Sequence, residues 1–184
     1  MHETVEERQR LQALLEDSIG RASPFLRTSF EMPEHSLSAA QLAAHLRGSL
    51  TVALGTVTAS GEPRVAPINA LFLHATFYVP TVAEAARARH IARRPATSLT
   101  YFEGTDLAII VHGRATIIGA DHPDFAGLDA AQVECGNQSV RGWQGHGIYL
   151  HLHPDRLYTF ARDPGALPGD RLSERDGPPA HEPP

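Results

Sequence analysis

The sequence predicts a mainly β fold of six or seven short antiparallel strands with flanking helices. Two observations carry this. From residue 50 onward the chain runs in short, β-branched-rich segments separated by turn residues, and helical periodicity is confined to the amino-terminal third and two later insertions. Such a meander fits a small antiparallel barrel or a sandwich, and the pattern alone does not separate the two.

The elements follow in order. Residues 1–20 read as an amphipathic helix with Leu11, Leu14, Leu15 and Ile19 on one face. Pro24 and Pro33 break the pattern. A second helix begins at Ser38, where Gln41 completes a Ser-x-x-Gln capping box, Leu37 and Leu42 take the staple positions, and Gly48 ends the element. Residues 50–57 and 64–73 form a hairpin across Ser60-Gly61, and His74-Ala75 turns into a strand at 76–79. A helix is expected over 82–94, stopped by Pro95, followed by strands at 97–102 and 107–118. Gly113, inside the second of these, marks a bulge or a close backbone approach. A helical insertion over 122–134 and a glycine-rich loop lead to a closing hairpin, 148–153 and 156–161, across Pro154-Asp155. From 163 the chain is Pro-, Gly- and charge-rich and reads as a disordered tail. The expected organisation is thus a helix and linker over 1–35, a barrel domain over 36–162 and a tail over 163–184.

Composition narrows the function. A formal net charge of -5 offers nothing to nucleic acid or an anionic membrane. No apolar run approaches the roughly 18 residues of a membrane span, and the acidic amino terminus is no secretion signal. Cys135 is the single cysteine, which excludes an internal disulfide and fits a cytoplasmic location. Thr81 and Glu84 have the spacing of a capping box. The arginines at 87, 89, 93 and 94 read either as a solvated helix face or as an anion grip, and helical spacing keeps them from all meeting one ligand. Among eleven histidines, His151 and His153 share a strand face, but an isolated His-x-His is a weak metal signal, and no metal site is expected. Trp143 reads equally as core or as a stacking group. No nucleophile triad, phosphate-cradling loop or dinucleotide fingerprint is present in the sequence.

Four segments in order resemble the pyridoxamine 5'-phosphate oxidase-like superfamily of flavin-binding split β-barrels. They are the hairpin over 55–69, the strand over 76–81 ending in Thr81, the basic helix over 87–95, and Val111-His112-Gly113-Arg114-Ala115; Leu157-Tyr158-Thr159-Phe160 is similar to the family's final strand. The resemblance implies a split barrel whose cofactor ring and ribityl chain lie against Arg64, Val65, Ala66, Pro67, Ile68 and Asn69. It also implies that Thr81 and Arg87 hold the phosphate, with Arg89 close by and Pro80 among the cofactor-binding residues. It further implies a homodimer with the site at the interface, an expectation joined to the apolar run 71–73.

The departures are equally specific. Asn69 replaces the lysine that grips substrate phosphate in true pyridoxamine phosphate oxidases, Ala108 replaces a glutamine near the flavin, and Arg87 replaces the usual phosphate lysine. The carboxy-terminal arginine-rich substrate motif is absent. The resemblance therefore points to the branch of FMN- or deazaflavin (coenzyme F-420)-dependent oxidoreductases acting on a small-molecule substrate. The rival expectation is a non-catalytic flavin- or heme-binding barrel.

Overall fold

The computed structural model describes residues 3–143 and 146–169. Helices α1 (Val5–Arg21), α2 (Pro24–Ser29) and α3 (Ala39–His45) precede strands β1 (Leu50–Val57), β2 (Pro63–Leu73) and β3 (Thr76–Val82). Helix α4 (Ala86–Arg93) leads to β4 (Ala96–Glu103) and β5 (Leu107–Ile118), and α5 (Phe125–Glu134) to β6 (Gly147–Ala161). The strands close an antiparallel barrel in the order β1-β2-β3-β6-β5-β4, which settles the barrel-or-sandwich alternative. Among the described residues no helix is long and apolar enough to cross a membrane.

Alternation of side chains builds two cores from the same strands. Ala70, Phe72, Phe77, Val79, Leu150 and Leu152 fill the barrel together with Leu50, Val52 and Leu54. Their neighbours Leu71, Leu73, Tyr78 and Tyr149 face outward and are covered by Phe125, Leu128 and Ala131 of α5. Each fully buried Leu, Val or Phe contributes about 1.5–3 kcal/mol. The run 71–73, expected to help a dimer form, is therefore consumed within one chain.

The caps at Ser38 and the turns at Gly61 and His74-Ala75 form as the sequence predicts; His74 and Ala75 both take positive φ. Three elements differ. The first helix starts at Val5, held by a Thr4–Glu7 capping box. Helix α4 starts at Ala86 with Ala85 as its cap, so Thr81 belongs to β3 and caps nothing. The expected closing hairpin is one 15-residue strand. Pro154 lies opposite Gly113 and Arg156 opposite His112, leaving Asp155 as the extra residue of a bulge. A bulge accommodates a proline that donates no ladder hydrogen bond, and it bends the strand. β6 can then pair with β3 over Gly147–His151 and with β5 along most of its length.

The expected tail is ordered at its start. Pro164–Ala166 form a 3-10 turn, Gln41 Nε2 donates to the Pro164 carbonyl at 2.7 Å, and Leu167 packs against the barrel core. Residues 170–184 lie outside the described residues.

Candidate functional site

The site lies where one ladder opens. β2 pairs with β3 only over Leu71–Leu73 against Thr76–Tyr78. Beyond Tyr78, β3 continues against β6, while β2 continues against β1. The two strands diverge, and a cavity of about 430 Å³ fills the gap. Its walls include Ile68 and Asn69 of β2, Pro80, Thr81 and Val82 of β3, and Arg87 of α4.

Thr81 is only 3% exposed, and the Arg87 guanidinium (Nη1) donates to its hydroxyl oxygen at 2.8 Å. The pair has the chemistry to receive an anion. Because Thr81 accepts from Arg87, its own hydroxyl proton is free to be donated, and arginine retains further N–H donors and no acceptor. Helix α4 is fixed in place by Ala88 and Ile91 in the core and by a 3.0 Å contact between His90 Nδ1 and the Thr56 hydroxyl. Ala85 supplies no capping side chain, so the first turn adds its partial positive charge without an internal counter-dipole.

Of the residues implied by the resemblance, the structure gathers Ile68, Asn69, Pro80, Thr81 and Arg87 around this cavity. Arg64, Val65, Ala66 and Pro67 lie further along β2, outside its lining; Arg64 pairs with Glu62 at 2.8 Å and Val65 is 71% exposed. Arg89 is exposed and donates to the Glu84 carbonyl. Arg94 donates to the Ala59 carbonyl at 2.6 Å, outside this lining as well.

Apart from Trp143, which the sequence left open as core or stacking group, the rest of the lining was not anticipated. Gln132 of α5, Asn137, Gln138 and Trp143 complete the lining. Three carboxamides within seven residues, in an insertion between two strands, were the available sequence signal. Buried Asp129 holds this wall rigid: its carboxylate accepts from the Val140 N–H at 2.9 Å and the Ser139 hydroxyl at 2.7 Å. Arg141 lies 3.4 Å from the same carboxylate and 5.0 Å above the Phe125 ring. Gly147 is required there, since a Cβ would stand 2.1 Å from the Val140 carbonyl oxygen. At the rim, His146 pairs with Glu84 beside a second cavity that shares Val82 and Trp143 with the first.

The histidines of β6 lie elsewhere. His151 stacks on Tyr78 at 4.5 Å and lies 4.1 Å from the His153 ring, which contacts the Thr116 hydroxyl. Among the described residues no cluster of three or more His, Cys, Asp or Glu could hold a metal ion. Cys135 is a half-buried free thiol packed against the outer core.

The fold and this cavity define a class: a closed six-stranded antiparallel barrel with a cavity, lined by Thr81 and Arg87 among others, where two strands part. Residues 38–158 match the pyridoxamine 5'-phosphate oxidase family model, well over half of the chain, and the chain belongs to that family. Among curated proteins no sequence matches. Solved structures share the fold at low identity. A conserved hypothetical protein from Mycobacterium tuberculosis is 18% identical, with a TM-score of 0.63 over 74% of this chain and 92% of that one. An F420 reductase is 15% identical, with a TM-score of 0.52 over 63% and 94%. The heme storage protein HutZ from Vibrio cholerae is 19% identical, with a TM-score of 0.53 over 60% and 84%.

Proposed function

We propose that this chain is an FMN- or coenzyme F-420-dependent oxidoreductase that works as a homodimer on a small organic substrate. The observation that carries the reading is the Arg87–Thr81 pair, a donor-only grip set beside the apolar surfaces of Ile68, Pro80, Val82 and Trp143 in one cavity. Its chemistry fits a phosphate joined to a flat ring, since charge-assisted donors suit the phosphate and apolar walls the ring. When bound, the cofactor supplies hydride chemistry, and the protein supplies position and electrostatics. Thr81 and Arg87 hold the phosphate, Asn69 offers a carboxamide beside the ring, and Ile68 and Trp143 keep water from it.

Arg64, Val65, Ala66 and Pro67 extend the same strand past the cavity, where a second copy would cover the exposed Val65 and close the mouth. Arg89 is available only to a longer anionic tail, which favours coenzyme F-420 wherever Arg89 contributes. Asn69 and Ala108, in place of lysine and glutamine, argue against oxidation of pyridoxamine phosphate itself.

Absorbance of the purified protein, followed by titration with FMN and with coenzyme F-420, tests the reading. Binding of either at micromolar concentration is expected, with a dimer mass by light scattering. A Soret band in place of a flavin spectrum would favour a heme-binding role, and no binding of either cofactor would end the proposal.

A further inference from the structure

We infer that Gln132 orients the cofactor ring by accepting a hydrogen bond from its imide N–H. This rests on the cofactor reading above and assigns the part of the ligand that the phosphate grip does not reach. Gln132 lies on α5, is 2% exposed and lines the cavity. Its Nε2 donates to the Gln138 carbonyl at 2.9 Å, which fixes the orientation of the amide. Its Oε1 is buried and has no hydrogen-bond partner. Folded proteins rarely leave such an acceptor orphaned, because it has lost water and gained nothing. Only one other buried side-chain polar atom among the described residues is in this state, the Ser36 hydroxyl in the segment between α2 and α3.

The surrounding wall cannot easily relax to satisfy it. Asp129, one turn before Gln132 on α5, binds Ser139 and Val140 and so clamps the segment that carries Gln138. The orphaned acceptor therefore calls for a donor from a ligand. Asn137 and Gln138 line the same cavity, and their carboxamides can donate. A fixed acceptor with groups able to donate lining the same cavity matches a carbonyl–NH–carbonyl edge, the imide that flavin and deazaflavin rings share. Inorganic phosphate would engage Arg87 and Thr81 and leave this wall unmatched.

The test compares FMN with FMN methylated at N3, or coenzyme F-420 with its N3-methyl form if that is the cofactor bound. Methylation removes the donor and should weaken binding to the unaltered protein about ten-fold or more. In Gln132→Met the parent cofactor should bind more weakly and the methylation penalty should disappear. A penalty that persists in Gln132→Met would mean that the methyl group merely clashes, and the assignment fails. Equal binding of both forms by the unaltered protein, an arm that needs no variant, also overturns it while leaving the cofactor reading intact. Failure of the unaltered protein to bind either unmethylated cofactor removes both.

Discussion

The backbone at Gly113 lies so close to the His153 carbonyl that a Cβ on residue 113 would stand 2.1 Å from that oxygen. Pro154 Cα and the Asp155 nitrogen would be 2.9 and 3.0 Å away, so the crowding is all backbone and cannot be relieved by a rotamer. This contact sits at the β6 bulge, and the bend there brings Ile148 opposite Thr81 on β3. Gly113→Ala should therefore cost about 3 kcal/mol, the upper end for forcing a methyl group into a packed site. Urea unfolding measures it, and unchanged stability would show that the bulge relaxes without strain.

The start of the expected tail supports the barrel. Gln41 donates to the Pro164 carbonyl, Leu167 packs on the core, and a Cβ at Gly169 would meet the Gln41 backbone at 2.8 Å. Truncation after Arg162 should lower stability by about 1–2 kcal/mol, from one hydrogen bond and one partly buried leucine. Truncation after Gly169 removes a segment with almost no apolar residues and should change stability by about half a kcal/mol or less. Two truncations with equal urea midpoints would contradict this.

Acid should weaken the fold before its carboxylates titrate. Burial first, and then the neighbouring His153, push His151 from about 6.5 down to about 4, while Asp124 opposes the shift and His122 and His74 add to it. The ring is thus neutral when folded and protonates more readily when unfolded. Its contribution is complete above pH 6.5 and is lost as pH falls from 6.5 towards 4, by on the order of 1–2 kcal/mol after solvent screening. His151→Phe keeps a ring against Tyr78 and should flatten this slope. An unchanged slope in unfolding measured across pH 4–7.5 would assign the acid sensitivity elsewhere.

Much of the barrel was legible because its signals are local. The Ser38–Gln41 box, the Gly61 and His74-Ala75 turns and the exceptional Gly113 each depend on a few adjacent residues. The β6 bulge was not, because a proline between two β-rich runs looks the same whether the chain reverses or bends, and only the partner strand decides. Thr81 shows the same limit: Thr-x-x-Glu is a capping pattern, but pairing with Ile148 keeps the residue in β3. The half of the cavity formed by Ile68, Asn69, Pro80, Thr81 and Arg87 followed from the resemblance. The other half, Gln132, Asn137 and Gln138, depends on how α5 folds back across the outer face of β3, which neither periodicity nor motif encodes.

The proposed phosphate grip gives the most direct prediction. Arg87→Ala removes one charge-assisted donor, worth about 1.5–3 kcal/mol, so affinity for the cofactor should fall roughly ten-fold to a hundred-fold. The fold should survive, because Ala88, Ile91 and the His90–Thr56 contact still anchor α4, and circular dichroism checks this. Arg87→Lys keeps the charge but loses the two-point fork, and should fall between the parent and the alanine variant. Added salt should weaken binding to the parent more steeply than to Arg87→Ala. Arg89→Ala separates the two cofactors. Its guanidinium is exposed and already engaged with the Glu84 carbonyl, so FMN affinity should not change, whereas the longer anionic tail of coenzyme F-420 should lose a contact. If folded Arg87→Ala binds both cofactors as tightly as the parent, the Arg87–Thr81 pair is a structural tie between α4 and β3 rather than a phosphate grip.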